Sequence, residues 1–322
     1  MRERLPDDDV GPAARDAADT WRGLAVDAHH HLWDPADPGQ DWLREPGLEV
    51  LRRPYTPDDL REAARTGVAG RPLAAGVVVQ SVPTLAETVA LLTTAAGDPT
   101  VAAVVGWVDL TGDVPGQLER LRGGAGGGLL RGVRHLVQDE PDPRWLLRDD
   151  VLAGLGVLVA EGLAFDVVVR SHQLPAVAEV AGAVPGLRLV LDHAGNPEVP
   201  VDAPARDHLT AWERDVRAVA ARPGTVCKVS GLVTKIDTHR SPEPLEAVWT
   251  VLLDAFGPDR LAWGSDWPVC LLARPYAEWA ALAAGLVEPL PAAGRHAVLA
   301  GTAVRTYDLP DPSPATDDPE DP

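Results

Sequence analysis

The sequence predicts a single-domain (β/α)8 barrel of the TIM type, and three observations carry that prediction. Eight short apolar runs recur along the chain, with stretches of helical spacing between them. The runs stay apolar until a polar residue closes them, as parallel strands do when both faces are covered. The chain has 322 residues, 45% of them hydrophobic, enough for the roughly 250 residues that such a barrel needs in one domain. An open doubly wound sheet uses the same units, but no Gly-x-Gly-x-x-Gly follows the first run, which favours the closed form.

The elements follow in order. LAVDAHHHL, residues 24–32, is the first strand, and its alternation puts Asp27, His29 and His31 on one face and Ala28 and His30 on the other. PDDLREAAR, from Pro57 to Arg65, reads as a helix start, with Pro in the first turn and acidic residues near the positive end of the dipole. LAAGVVVQS is the second strand, followed by the helical stretch TLAETVALLTTAAG, and VAAVVGWVDL is the third. The glycine run at Gly123–Gly128 lacks the Lys-Ser/Thr ending and the following helix of a phosphate loop, so it is expected to be a flexible connection. LLRGVRHLVQ, AFDVVVRSH, LRLVLDHAG, TVCKVSGL and RLAWGSDW complete the set, with the helical LPAVAEVAGAVPG after the fifth. The barrel is expected to occupy residues 23–307, between a flexible tail at 1–22 and a disordered acidic tail at 308–322, both too poor in apolar surface to offset ordering entropy.

Composition narrows the function classes. A net charge of −19 and the lack of clustered Lys and Arg argue against a nucleic-acid surface. No apolar stretch of about 18 residues implies a membrane span, and MRERLPDDDV has no apolar core of a secretory signal. Cys227 and Cys270 form no disulfide framework and suit a reduced, cytoplasmic setting, Cys227 as a small buried filler. Oligomeric state has no signature here, and a homo-oligomer is compatible with the sequence.

In a barrel of this type the strand ends share one mouth, where polar residues are the first candidates for chemistry. Those ends supply His29 and His31, then Gln80, Trp107 and Asp109, Arg134 and His135, His172, Asp192 and His193, Lys228 and Ser230, and finally Asp266, between Gly264 and Pro268. A single buried imidazole is more often a satisfied core residue than a ligand; recurrence at successive strand ends points to a site. Lys228, one of two lysines, reads either as a substrate contact or as a structural ion-pair partner. Trp33 and Trp267 could each line a pocket or pack in the core, and Trp107 is read as core.

DAHHHLWD, LRGVRHLVQDEPDPRWL, FDVVVRSHQLP, RLVLDHAGNP, CKVSGL and WGSDWPV occur in this order between Leu24 and Tyr307. In these stretches the chain resembles the amidohydrolase superfamily, in the amidohydrolase-related branch that contains L-fuconolactonase, L-rhamnonolactonase and related lactone hydrolases. The resemblance implies that His29, His31, His172 and Asp266 bind one divalent metal, zinc by donor type, and that some branch members work without it. It makes Asp266 the residue that takes a proton from water and His193 the one that polarises or protonates substrate. Arg134, His135, Lys228, Gln80 and Trp33 would then contact the substrate. Asp27 would orient the first-strand histidines, and Asp192 would orient His193. Superfamily members with two metals bridge them by a modified lysine ending the fourth strand; Arg134 and His135 stand there instead. The expected reaction is opening of a sugar-derived aldonolactone in sugar catabolism. The alternatives are a carbon–carbon lyase of the same superfamily, disfavoured by GVRHLVQDEPDP, and a non-catalytic barrel that binds a sugar acid.

Overall fold

In the computed structural model, which describes residues 20–199, 205–236, 238 and 241–312, each of the eight apolar runs forms a β-strand. They are β1 (Ala25–His30), β2 (Leu73–Val79), β3 (Val101–Gly106), β4 (Leu130–Leu136), β5 (Ala164–Val168), β6 (Arg188–Leu191), β7 (Thr225–Val229) and β8 (Leu261–Trp263). All neighbours pair in parallel and the sheet order follows the chain order. This is the predicted (β/α)8 barrel.

Closure between the last and first strands happens just beyond β8. Asp266 donates its backbone N–H to His29 O at 2.8 Å, and His31 donates to Trp267 O at 2.7 Å. The Asp27 carboxylate clamps the same seam, accepting the backbone N–H groups of Ser265 at 2.8 Å and His29 at 3.1 Å. Buried backbone donors need such partners. Closure of the barrel therefore also sets the register of the first-strand histidines against Asp266.

Two apolar layers hold the fold. Between strands and helices lie large side chains such as Leu91, Leu118, Leu155, Val177 and Leu252, each worth about 1.5–3 kcal/mol when fully buried. Inside the barrel the residues are smaller, among them Val26, Ala28, Val77, Ala103, Val105 and Ala262. The strand-start end is filled by Trp21 and by the last helix, Thr302–Tyr307, through Ala303, Val304 and Tyr307. Arg188, the first residue of β6, donates to Thr306 O at 2.7 Å and fixes that helix there.

The helices start where the sequence places them. The helix Pro57–Ala63 opens on a capping box, in which Thr56 and Asp59 satisfy each other's backbone N–H groups. The helix Leu85–Gly97 is capped by Thr84, which accepts from Glu87 N at 3.1 Å.

Two expectations need correction. The glycine run is a packed turn instead of a flexible connection: Gly126 sits at φ +68°, and a Cβ there would lie 2.0 Å from Leu92 O. Absence of a side chain is what lets this turn approach the helix backbone. The folded unit also extends past residues 23–307, because Trp21 and Leu309 are both buried and Asp308 pairs with Arg188 at 3.1 Å. The rest of the two expected tails, residues 1–19 and 313–322, lies outside the described residues.

Candidate active site at the barrel mouth

A cavity of about 640 Å3 opens at the ends of the strands, and His31, Trp33, Arg134, His193 and Asp266 are all in its wall. His29 lies just beneath, fully buried. Its Nε2 is 3.2 Å from His31 Nε2, 3.3 Å from Arg134 Nη1 and 3.8 Å from Asp266 Oδ1. Asp266 Oδ1 is also 3.5 Å from His31 Nε2 and 4.0 Å from His193 Nε2. Residues far apart in the chain thus converge on one carboxylate.

Local backbone explains how they get there. His193 and Asp266 both occupy left-handed conformations, at φ +52° and +55°, which cost about 1–2 kcal/mol for a residue with a side chain. Each follows the end of its strand, so the unusual turn swings the side chain over the mouth instead of continuing along the barrel. Gly231 makes room for this arrangement. A Cβ there would come within 2.5 Å of His193 Nδ1 and 3.1 Å of Asp266 Oδ2. The ring of His193 is then anchored by Ser230 Oγ, 2.9 Å from Nδ1.

Electrostatics favour neutral imidazoles. Burial, reinforced by Lys228, holds His29 well below the usual histidine range. Burial, with Arg134 nearby, takes His31 down to about 3, and burial also lowers His193. His31 donates Nδ1–H to Val79 O at 2.7 Å, which leaves its Nε2 lone pair directed at the site. Burial raises Asp266 while His193 and Arg134 pull it back. Such a carboxylate is suited to accepting a proton.

Beneath the mouth lies a second layer of buried charge. Lys228 Nζ is 2.5 Å from Asp166 Oδ2, 3.1 Å from Asp192 Oδ1 and 3.2 Å from His29 Nδ1. Asp192 in turn lies 3.2 Å from His29 Nδ1 and 3.2 Å from Arg134 Nη1. Desolvation opposes the Asp192 charge, but Lys228 and His29 outweigh it and hold the carboxyl well below the usual range.

Several predicted residues stand elsewhere. His172 is exposed in a short turn beyond β5 and is not in the group of potential ligands; the strand alternation puts Val168 in the cavity wall. His135 turns away, stacking on Trp145 at 3.9 Å and pairing with Glu140 at 2.7 Å. Lys228 and Gln80 are fully buried and absent from the wall. Lys228 takes the ion-pair alternative, and Gln80 brackets Arg134, accepting its guanidinium on the backbone carbonyl and donating Nε2 to Arg134 O at 3.3 Å. Asp192 supports His29 instead of His193. Asp27 orients the histidine pair through backbone. Sequence reasoning missed Asp166, although a carboxylate within the apolar run FDVVV was a signal. It also missed Trp42, Asn196 and Lys235 in the cavity wall, which sit on loops where no periodicity marks them.

The donor set suits a single divalent cation. His29, His193 and Asp266 each offer a ligand atom within 4.8 Å of the others, His31 Nε2 is beside them, and the imidazoles are neutral.

The sequence model of the family described as amidohydrolase matches residues 26–309. The chain belongs to the amidohydrolase family. This amidohydrolase is 40% identical over 299 residues to an L-fucono-1,5-lactonase of Burkholderia multivorans, covering 91% of this chain and 98% of that one. A crystal structure of an amidohydrolase from Burkholderia multivorans with bound zinc superposes with a TM-score of 0.80 at 39% identity, covering 89% of this chain and all of that one. The 5-carboxyvanillate decarboxylase of Sphingomonas paucimobilis, at 14% identity and a TM-score of 0.59 over 90% of this chain and 99% of that one, shares the fold alone. Among the described residues no helix is long and apolar enough to cross a membrane.

Proposed function

We propose that this amidohydrolase opens the ring of a sugar-derived aldonolactone of the L-fucono or L-rhamnono type, as a cytoplasmic step of sugar catabolism. The observation that carries the reading is the convergence of His29, His31, His193 and Asp266 at one cavity. Likeness to an L-fucono-1,5-lactonase over nearly the full length of both chains supports it.

Asp266 accepts a proton from the attacking water, which is then a competent nucleophile toward the lactone carbonyl. Arg134, held by Gln80 and Asp192, places a fixed cation beside the developing oxyanion. Such preorganised charge is commonly worth about 3–4 kcal/mol to the transition state. His193, steadied by Ser230 and with Nε2 4.0 Å from Asp266 Oδ1, is the group assigned to return a proton to the departing alkoxide as the ring C–O bond breaks. Trp33 and Trp42 present aromatic surface to the apolar face of a sugar ring. Zinc would be held by His29, His31 and Asp266, whose facing atoms lie within 3.8 Å of one another, which leaves His193 Nε2 for the proton, and it would act as a Lewis acid that lowers the pKa of bound water toward about 7.

The test is proton release in weakly buffered solution on adding a set of aldonolactones, with and without chelator. Hydrolysis of at least one supports the proposal. Evolution of CO2 from an aromatic acid, with every lactone inert, would replace it with the lyase reading. Saturable binding without turnover would leave a sugar-acid binder.

A further inference from the structure

The buried charge beneath the mouth continues to the far end of the barrel. Tyr307, on the helix that fills the strand-start end, donates its hydroxyl to Asp166 Oδ2 at 2.7 Å. The same oxygen takes Lys228 Nζ at 2.5 Å. Lys228 Nζ donates to Asp166 and has Asp192 Oδ1 and His29 Nδ1 within 3.2 Å, so these three groups fix where it sits. The Lys228 ammonium also lies 5.4 Å from the centre of the Tyr307 ring. All five side chains are buried.

We infer that Tyr307 and Asp166 are positioning residues for the reaction, holding Lys228, and through it His29 and Asp192, from the end of the barrel opposite the cavity.

Stability alone gives little reason for such a chain of groups, since well-packed apolar residues commonly serve a barrel interior as well as a buried ion pair does. Its upper end is what distinguishes it. Among the described residues His29 Nδ1 faces Asp192, with Lys228 beside that pair, while its Nε2 faces His31 and Asp266. Asp192 also steadies Arg134. Without the Tyr307 hydroxyl, Asp166 loses the donor that fixes the orientation of its carboxylate, and with it the point at which it holds Lys228. The ammonium then settles toward Asp192, competing there with His29 and Arg134. Groups that support the residues of a site in this way typically change activity by about 10- to 100-fold when removed, and a hydroxyl two contacts away belongs at the lower end.

Tyr307→Phe removes the hydroxyl and keeps the ring in its packing. Val304→Ala, in the same helix and the same apolar cluster, is the control for packing loss. The rate readout rests on the lactonase reading; the ring nitrogen NMR signals of His29, assigned with a His29→Asn variant, do not. In Tyr307→Phe we expect kcat on a lactone turned over by the parent enzyme to fall about tenfold with KM within twofold, and the His29 signals to move. In Val304→Ala we expect the melting temperature to fall with kcat within twofold and the His29 signals in place. Wild-type kcat in Tyr307→Phe, unmoved His29 signals in that variant, or an equal kcat loss in Val304→Ala would each overturn the inference. A parent enzyme inert toward every lactone would sink the lactonase reading, and the His29 signals would still decide this one.

Discussion

Asp266 gathers three imidazoles within 4.0 Å of one oxygen, so its charge and not its shape is what the site uses. Asp266→Asn should leave the circular dichroism spectrum unchanged and lower kcat by at least about two orders of magnitude, the usual worth of a proton-transferring group. His172 gives the opposite expectation. Being exposed and outside the potential ligand group, it should tolerate His172→Ala with kcat within twofold. A large loss of activity or metal content in that variant would restore it to the site. At this scale the sequence was legible where a polar residue closes an apolar run, as at His29, His31, Arg134 and Asp266. It misled at His135, which alternates outward beside inward Arg134 within β4, and at His172, which lies beyond β5 where loop geometry sets the direction. Lys228 illustrates the other difficulty. Residue type left two readings open, and only the positions of Asp166 and Asp192 decided between them.

Eight strands were readable because fully covered parallel strands require long apolar runs, and the helix starts because Thr56 and Thr84 carry their caps in the local sequence. The seam that closes the barrel was not readable, since its bonds join residues at opposite ends of the chain. Asp27 carries much of it. Asp27→Ala would strip two buried backbone N–H groups, those of His29 and Ser265, of their acceptor. Each such loss costs about 1–3 kcal/mol. Chemical denaturation should therefore show a stability loss of about 2 kcal/mol or more, accompanied by loss of kcat because the register of His29 against Asp266 goes with the clamp. A variant that loses stability but keeps full kcat would show that the clamp serves the fold alone. The glycine run gives the converse lesson. Its composition looked like a tether, yet the approach of Gly126 to the Leu92 carbonyl makes it a fitted corner.

For the molecule as a whole, the packing is uneven between the two ends of the barrel. The strand-start end is filled by Trp21 and the Thr302–Tyr307 helix, whereas the other end holds a cavity of about 640 Å3 over a bed of paired charges. Cohesion is thus concentrated away from the chemistry, and local opening is easiest where few apolar contacts oppose it. Activity measured along a urea series should accordingly disappear at lower denaturant than far-ultraviolet ellipticity; coincident midpoints would show that mouth and base open as one. The bonds of Asp266 to His29 and of His31 to Trp267 give that expectation a sharper form. They fasten the first and last staves of the cylinder to each other, and the reacting groups ride on the fastener itself. Turnover is therefore a gauge of whether the ring is shut: a barrel sprung at this one joint would keep nearly all of its helices and lose its catalyst.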